Sequence, residues 1–425
     1  MKLKGNRGTW GFWGVAILIF LVGQLLISTG AVNDFWKTII LIGGVMAIVS
    51  LGLNLIYGFS GQFSLGQWGF YALGAYVAAD ITYRWYQLHN ASGLVVVFMV
   101  VTLIGLCYLG IGRLSARLQG MDTLSAFALY LAGTIVAAVA GVAIGQVLID
   151  PVTALLTALP PDLAMQIVFL LSVLLAGVFA AEISYLFGLP VLALASDYFG
   201  IATLGFTIIV KVLLDNSDTL LGFTEMKGAR GMVGIPKTTT WFWVFLFLMI
   251  TLLVLRNLLQ SSHGRAVVSV REDEIAAKAM GINIASQKTL AFVLGSLFAG
   301  IGGALYAHIN GFLHPNTFNF IKSFDPMIIV VLGGLGSLTG TVFGAFAWAL
   351  ILEGVLRVVL PQGFETWRFV VYPLLLLVMM LLRPAGLFGG FEVPFLRQVL
   401  PPLRKSAEKP TPEPAAAAPE TGDHS

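Results

Sequence analysis

The chain of 425 residues has one cysteine, Cys107, which lies in an apolar run. An intramolecular disulfide framework and a multi-cysteine metal site are therefore excluded. Charge is scarce as well: 24 Lys+Arg and 21 Asp+Glu amount to 11% of residues, where a soluble protein carries about a quarter. Water cannot solvate such a surface everywhere, so with 58% hydrophobic residues the chain reads as an integral membrane protein. The formal net charge of +3 is too small and too scattered to suggest nucleic acid as a partner. Five dispersed histidines, without an H-E-x-x-H, a nucleophile elbow or a carboxylate dyad, leave no legible enzyme site. The phosphate-binding pattern G-x-x-x-x-G-K-S/T is missing too. The nearest glycine cluster, Gly333–Gly340, has no lysine to hold phosphate charge, so the chain does not hydrolyse ATP by itself.

Long apolar runs are what the sequence has instead. Spanning a hydrocarbon core takes about 20 mostly apolar residues in a helix, because lipid offers no partner to an unpaired backbone group. Trp10–Ile27, Thr38–Tyr57, Leu94–Gly112, Leu124–Ile149, Leu163–Leu186, Trp241–Leu255, Leu290–Ile309 and Phe369–Leu382 meet or nearly meet that length. Gly58–Ala79 and Pro326–Leu360 are hydrophobic but interrupted by glycine and polar residues, and Val191–Leu214 is apolar with Asp197 and Lys211 inside it. The expected fold is an all-α integral membrane protein, a polytopic helical bundle of roughly 9–11 membrane segments with Gly-rich broken or re-entrant helices. Basic residues in short loops favour the cytoplasmic side. This places Lys2–Arg7, Arg113 with Arg117, Arg256–Lys288 and Arg383–Lys405 inside, and Pro160-Pro161 outside. Pro326–Leu360 then enters and leaves on one face, crosses twice, or forms one tilted span, with Gly333-Gly334-Leu335-Gly336-Ser337 as the available turn.

The domain reading follows. Residues 1–9 form a cytoplasmic N-terminus ahead of a retained signal anchor, 10–388 the transmembrane domain with a cytoplasmic docking loop at 256–288, and 389–425 a cytoplasmic tail. Six prolines from 401 onward predict disorder there. Within the loop, Glu272–Met280 has helix formers throughout, with Ile275, Ala276, Ala279 and Met280 on an apolar side and Gly281 at the stop. An acidic first turn, a small-residue face and a glycine stop together predict an amphipathic helix outside the membrane that docks a partner.

Inside the membrane, Ala291, Gly295, Ala299, Gly303, Ala307 and Gly311 recur at four-residue spacing, the pattern of close helix packing. Two polar breaks stand out, Ser60, Gly61, Gln62, Ser64 and Gln67 in one, Gly333, Gly334, Gly336, Ser337 and Thr339 in the other. Either they line a solute path, with a half-helix terminus turned toward a zwitterion, or they satisfy one another between helices. Glu353 and Arg357, like Lys211 and Asp215, are spaced i,i+4 and are expected to pair on their own helices. Glu182 has no sequence-adjacent partner and is expected to snorkel near a cytoplasmic end.

Residues Glu274–Gly281, EIAAKAMG, are close to the E-A-A-x-x-x-G pattern of ATP-binding-cassette importer permeases, with Ile275 inserted after the glutamate. The surrounding stretch Gly264–His308, and the blocks Asn54–Ala79, Leu189–Phe206 and Val330–Ala345, resemble the branched-chain amino acid permeases of the LivM type, with gaps from about Leu41 to Phe388. The resemblance implies a permease subunit of the inner membrane that moves branched-chain amino acids or a related small polar solute by alternating access, without a cofactor. It also implies two ATPase subunits, a second permease of the LivH type and a periplasmic or extracellular solute-binding protein. ATPase docking falls on Arg265, Arg271, Glu272, Asp273, Glu274, Ala276, Ala277 and Gly281, helix packing on Gly295, Ala299, Gly303 and Ala307, and the substrate path on the two breaks. Urea-importer and other amino-acid importer permeases share these motifs. An ion-coupled secondary transporter needs an ionisable relay near the midplane, and the intramembrane charges are too few and too peripheral for one. The chain departs from the family between the first break and Leu189. Leu94–Gly112, Leu124–Ile149 and Leu163–Leu186 stand where one apolar segment is usual, which predicts an inserted helix pair around 113–162.

Overall fold

A computed structural model describes residues 5–117, 123–194, 196–219 and 224–359, with isolated positions between 374 and 396. The chain runs through α1 (Gly5–Ser28), α2 (Asp34–Leu53, continued by a π turn Asn54–Phe59), α3 (Gln67–Leu88), α4 (Ser92–Arg117), α5 (Thr123–Thr157), α6 (Pro161–Val191) and α7 (Ser196–Asp215). It goes on through α8 (Trp241–Gln260), two short helices α9 (Ser262–Glu272) and α10 (Glu274–Ala279), α11 (Ile284–Asn310), α12 (Phe324–Gly333) and α13 (Leu338–Trp348). A second π turn, Ala349–Val355, joins α13 to α14 (Leu356–Val359). Among the described residues eight helices are long and apolar enough to cross a membrane, and α1 adds a shorter apolar helix, Phe12–Ser28. The expected span Phe369–Leu382 and the tail from 389 lie outside the described residues, apart from a few positions.

Local chemistry starts these helices where they start. Asn33 accepts from the Trp36 backbone N–H (3.0 Å) ahead of α2, and Asn283 from that of Ser286 (3.1 Å) ahead of α11. Each satisfies a donor that a helix start leaves without an intrahelical partner.

At the centre lie α2 and α11, with α3 and α6 packed on α11. The small residues of α11 make this possible. A Cβ on Gly295 would lie 2.6 Å from Gly52 O of α2, one on Gly303 would overlap Tyr71 O of α3, and one on Gly300 would lie 2.6 Å from Ala180 Cβ of α6. Four-residue steps on a 3.6-residue helix advance about 40° each, so the row winds around the axis. The sequence suggests one smooth face; the structure uses the row, with Gly300 beside it, against three neighbours.

The helix pair α4–α5 is zipped by a second small-residue row that the sequence reading missed: Gly133, Ala137, Gly141 and Gly145. Gly133 faces Cys107, Gly141 faces Val100 and Gly145 faces Val96 of α4. The outer side of α5 is apolar and exposed, as lipid contact requires.

The glycine-rich turn excludes one continuous tilted helix for Pro326–Leu360, because the chain reverses there. α12, ten residues and about 15 Å long, ends at Gly333. Gly334 and Gly336 adopt φ +114° and +76°, and α13 returns alongside with Gly333 set against Gly340. β1 (Met232–Val233) and β2 (Phe312–Leu313) pair antiparallel and tie the loop before α8 to the one after α11.

Candidate functional site

The polar loop folds as two helices, and the docking helix starts later than its composition suggests. Asp273 has extended backbone and caps α10 by accepting from the Ile275 and Ala276 N–H groups (2.8 and 3.0 Å). At the other end Gly281, at φ +81°, completes a Schellman stop: its own N–H donates to Lys278 O, and that of Ile282 to Ala277 O. No atom lies within 4 Å of a Cβ built on Gly281, so only the left-handed backbone demands glycine there. Arg265, Glu272 and Ala276 are exposed, and Glu274 pairs with Lys288 at the foot of α11 (2.6 Å).

One of the expected docking residues turns inward, and another, exposed at its surface, reaches back to the body of the chain. Ala277 is 4% exposed, because the capped helix rotates it onto the body of the chain, and what α10 presents outward is Ile275 (84% exposed) and Met280 (82%). Arg271 reaches back into the membrane domain: its guanidinium donates from Nη1 to Gly58 O, and its stem lies against Gly61. Gly336 of the second break is close by, its would-be Cβ 3.2 Å from the same nitrogen.

Both polar breaks therefore meet at one place, under α9. Asn54, in the π turn that leads into the first break, holds the second by donating to Ser337 O (2.9 Å) and Thr341 Oγ1 (2.8 Å) and accepting from the Gly336 N–H (2.9 Å). Ser337 caps α13 at Gly340 N (2.9 Å), and Ser64 accepts from Gly66 N (3.3 Å). Gln62 donates to Ser60 Oγ (2.6 Å) and Lys288 O (3.2 Å), and Gln67 to Gly295 O (3.2 Å). Between Gln62 and Gln67 the chain thus climbs seven residues of α11, about 10 Å, and α3 begins inside the bundle. Gln62 Oε1 and Gln67 Oε1 are buried with no hydrogen-bond partner among the described residues.

A separate cavity of about 340 Å³ lies at the other end of α2, between α2, α11 and the α12–α14 hairpin. Its walls hold Glu353 and Arg357, expected as a helical pair. Glu353 meets Lys322 (3.6 Å), which also meets Asp325 (3.1 Å). Glu353 sits in the π turn, whose wider winding breaks the regular i,i+4 register. Lys211 and Asp215 do pair as expected, at 2.6 Å. Glu182 does not snorkel: it is buried beside Gly105 of α4, among Tyr108, Tyr130 and Tyr185.

The family described as branched-chain amino acid transport system, permease component, matches residues 36–152 and 120–380. The chain belongs to this permease family. It is 29% identical to the high-affinity branched-chain amino acid transport system permease protein LivM of Escherichia coli K12, over 88% of this chain and 73% of that protein. A probable LivM of Methanocaldococcus jannaschii is 23% identical over 56% of the chain and 72% of its own length. LivH of Salmonella typhimurium is 24% identical over 83% and 94%. No solved structure matches. The two family matches overlap across 120–152, in α5, so the same stretch is claimed twice.

One polar residue of the permease escaped the sequence reading because it lies in the stretch assigned to the tail. The Glu392 carboxylate accepts from the backbone N–H of Leu338 and from Thr339 Oγ1 (2.7 Å), at the start of α13. The α13 terminus is thus met by a carboxylate of the chain itself, which suits its dipole. Burial pushes the Glu392 carboxyl above its ordinary pKa, opposed by the hydrogen bonds from Thr339, Leu338 and Ser337. A raised pKa in the docked state means that docking is most stable below the ordinary glutamate value and weakens as pH rises through the raised one. Proteolysis of the tail is expected to be faster at about pH 8 than at about pH 5 in the wild type, and indifferent to pH in Glu392→Gln. Equal pH dependence in both would assign the effect elsewhere.

Proposed function

We propose that the chain is one of two permease subunits of an ATP-driven importer of branched-chain amino acids or a closely related small polar solute. Its partners are a second permease of the LivH type, two cytoplasmic ATPase subunits and an external solute-binding protein. Both termini and the α9–α10 elbow are cytoplasmic, as the basic loops require. The observation that carries the reading is the elbow: two large apolar side chains, Ile275 and Met280, stand exposed on a capped helix. Behind them, Arg271 leads directly to both breaks in the membrane domain. ATP-driven movement of a partner seated on α10 reaches the breaks through that arginine, and tilting of α2 and α13 exchanges outward for inward access.

The test is Ile275→Asp combined with Met280→Asp. Buried apolar anchors at an interface are worth about 1–3 kcal/mol each, and both side chains are free of the fold. Co-purification of the ATPases and ATP-driven uptake should therefore fall at least about tenfold, with membrane yield unchanged. ATPase recovery at the wild-type level would remove the docking role.

A further inference from the structure

The cavity beside α2 belongs neither to the docking elbow nor to the polar breaks. Its polar wall gathers Lys322, Asp325, Glu353 and Arg357. Among the described residues these are two cations and two anions, so both signs are present for a ligand that carries both. Asp325 is 2% exposed, and the Lys322 ammonium lies between its carboxylate and that of Glu353. The opposite wall is apolar, from Ile39, Ile42 and Met46 of α2. The floor is Trp68 stacked on Tyr71 with ring centroids 4.5 Å apart, and Trp68 is fixed there by donating from Nε1 to Thr317 O (3.1 Å). The volume of about 340 Å³ falls in the range of small-molecule sites, roughly 300–1,000 Å³.

We propose that this cavity is a binding station for a free α-amino acid with an aliphatic side chain. The ammonium faces Glu353 and Asp325, the carboxylate faces Arg357 and Lys322, and the side chain lies against α2 and the Trp68 floor. A zwitterion entering here joins an existing set of charges of both signs, which avoids the desolvation of a lone ion in apolar surroundings. The station rests on the importer reading and adds a solute site to it, on the side of the membrane away from the elbow.

Radiolabelled leucine is the probe, bound to the purified permease assembly without the solute-binding protein and read by scintillation proximity. Saturable binding is expected, displaced by unlabelled leucine but poorly by 4-methylpentanoate, which lacks the ammonium, or by leucinamide, which lacks the carboxylate. Arg357→Gln and Glu353→Gln should each raise half-saturation at least about tenfold. Arg357 is exposed, so its variant leaves the Lys322 cluster intact and keeps the test free of misfolding. Absence of saturable binding, equal displacement by either single-charge analogue, or half-saturation unchanged in Arg357→Gln would overturn the station. ATP-driven uptake by the wild-type assembly, measured alongside, separates the two ideas. An active importer with any of those outcomes loses the station alone, whereas an assembly that imports nothing refutes the importer reading and the station's place in it.

Discussion

Arg271→Ala should abolish coupling while leaving the ATPases attached. Composition and resemblance put Arg271 on the docking surface, but its guanidinium points inward, to Gly58 O, with Gly61 and Gly336 as neighbours. It is therefore the strut between the elbow and the breaks. Losing a hydrogen bond from a charged group costs about 1.5–3 kcal/mol, enough to lower uptake by about one to two orders of magnitude. ATPase association should remain, because Ile275 and Met280 are untouched. Arg271→Lys keeps the charge but not the planar fork, and is expected to restore uptake only in part. ATP hydrolysis and solute uptake measured in the same proteoliposomes decide the matter. Uptake within twofold of wild type in Arg271→Ala would reduce the arginine to a surface residue, and parallel loss of ATPase binding would return it to the docking face.

Gly303→Leu is expected to be the most damaging single change in the bundle. A Cβ there overlaps Tyr71 O, a backbone atom that no rotamer change can move, so α3 and α11 must separate along their contact. Overpacking costs about 1–3 kcal/mol even where side chains yield, and here a backbone must. Val139→Leu, which adds a single methylene at a 66% exposed position on α5, should cost less than about 0.5 kcal/mol. Leu305→Ala is no neutral control: Leu305 is fully buried, and truncation there costs about 2–5 kcal/mol through the cavity it leaves. The yield of monodisperse protein after detergent extraction is the measurement. Equal yields of Gly303→Leu and Val139→Leu would contradict close packing of the α11 row.

The sequence was most legible where the physical rule is local. Lipid accepts only segments whose backbone is bonded within the segment, so length and apolarity alone marked nearly every spanning helix. Cap chemistry is equally local, which is why the stop at Gly281 and the Lys211–Asp215 pair are where residue spacing puts them. A two-residue shift in a helix start, from Glu272 to Glu274, was enough to misplace one docking residue. The cap at Asp273 turns α10 so that Ala277 faces the fold, while Ile275, Ala276 and Met280 of the expected apolar side face out.

By itself the sequence determined that this is a membrane-spanning bundle with a polar elbow, a small-residue row and two polar breaks. Each of those follows from composition, apolar length and the spacing of residues near one another in the chain. Only the tertiary structure decided that the second break meets the π turn leading into the first, through an Asn54–Ser337 bond that spans 283 residues of chain. It likewise decided that Arg271 joins them, that Glu392 reaches α13, and that Lys322, Asp325, Glu353 and Arg357 gather on one cavity wall. Those pairings depend on how helices distant in the chain lie against one another, and glycines on α11 set that through contacts whose partners no local pattern names.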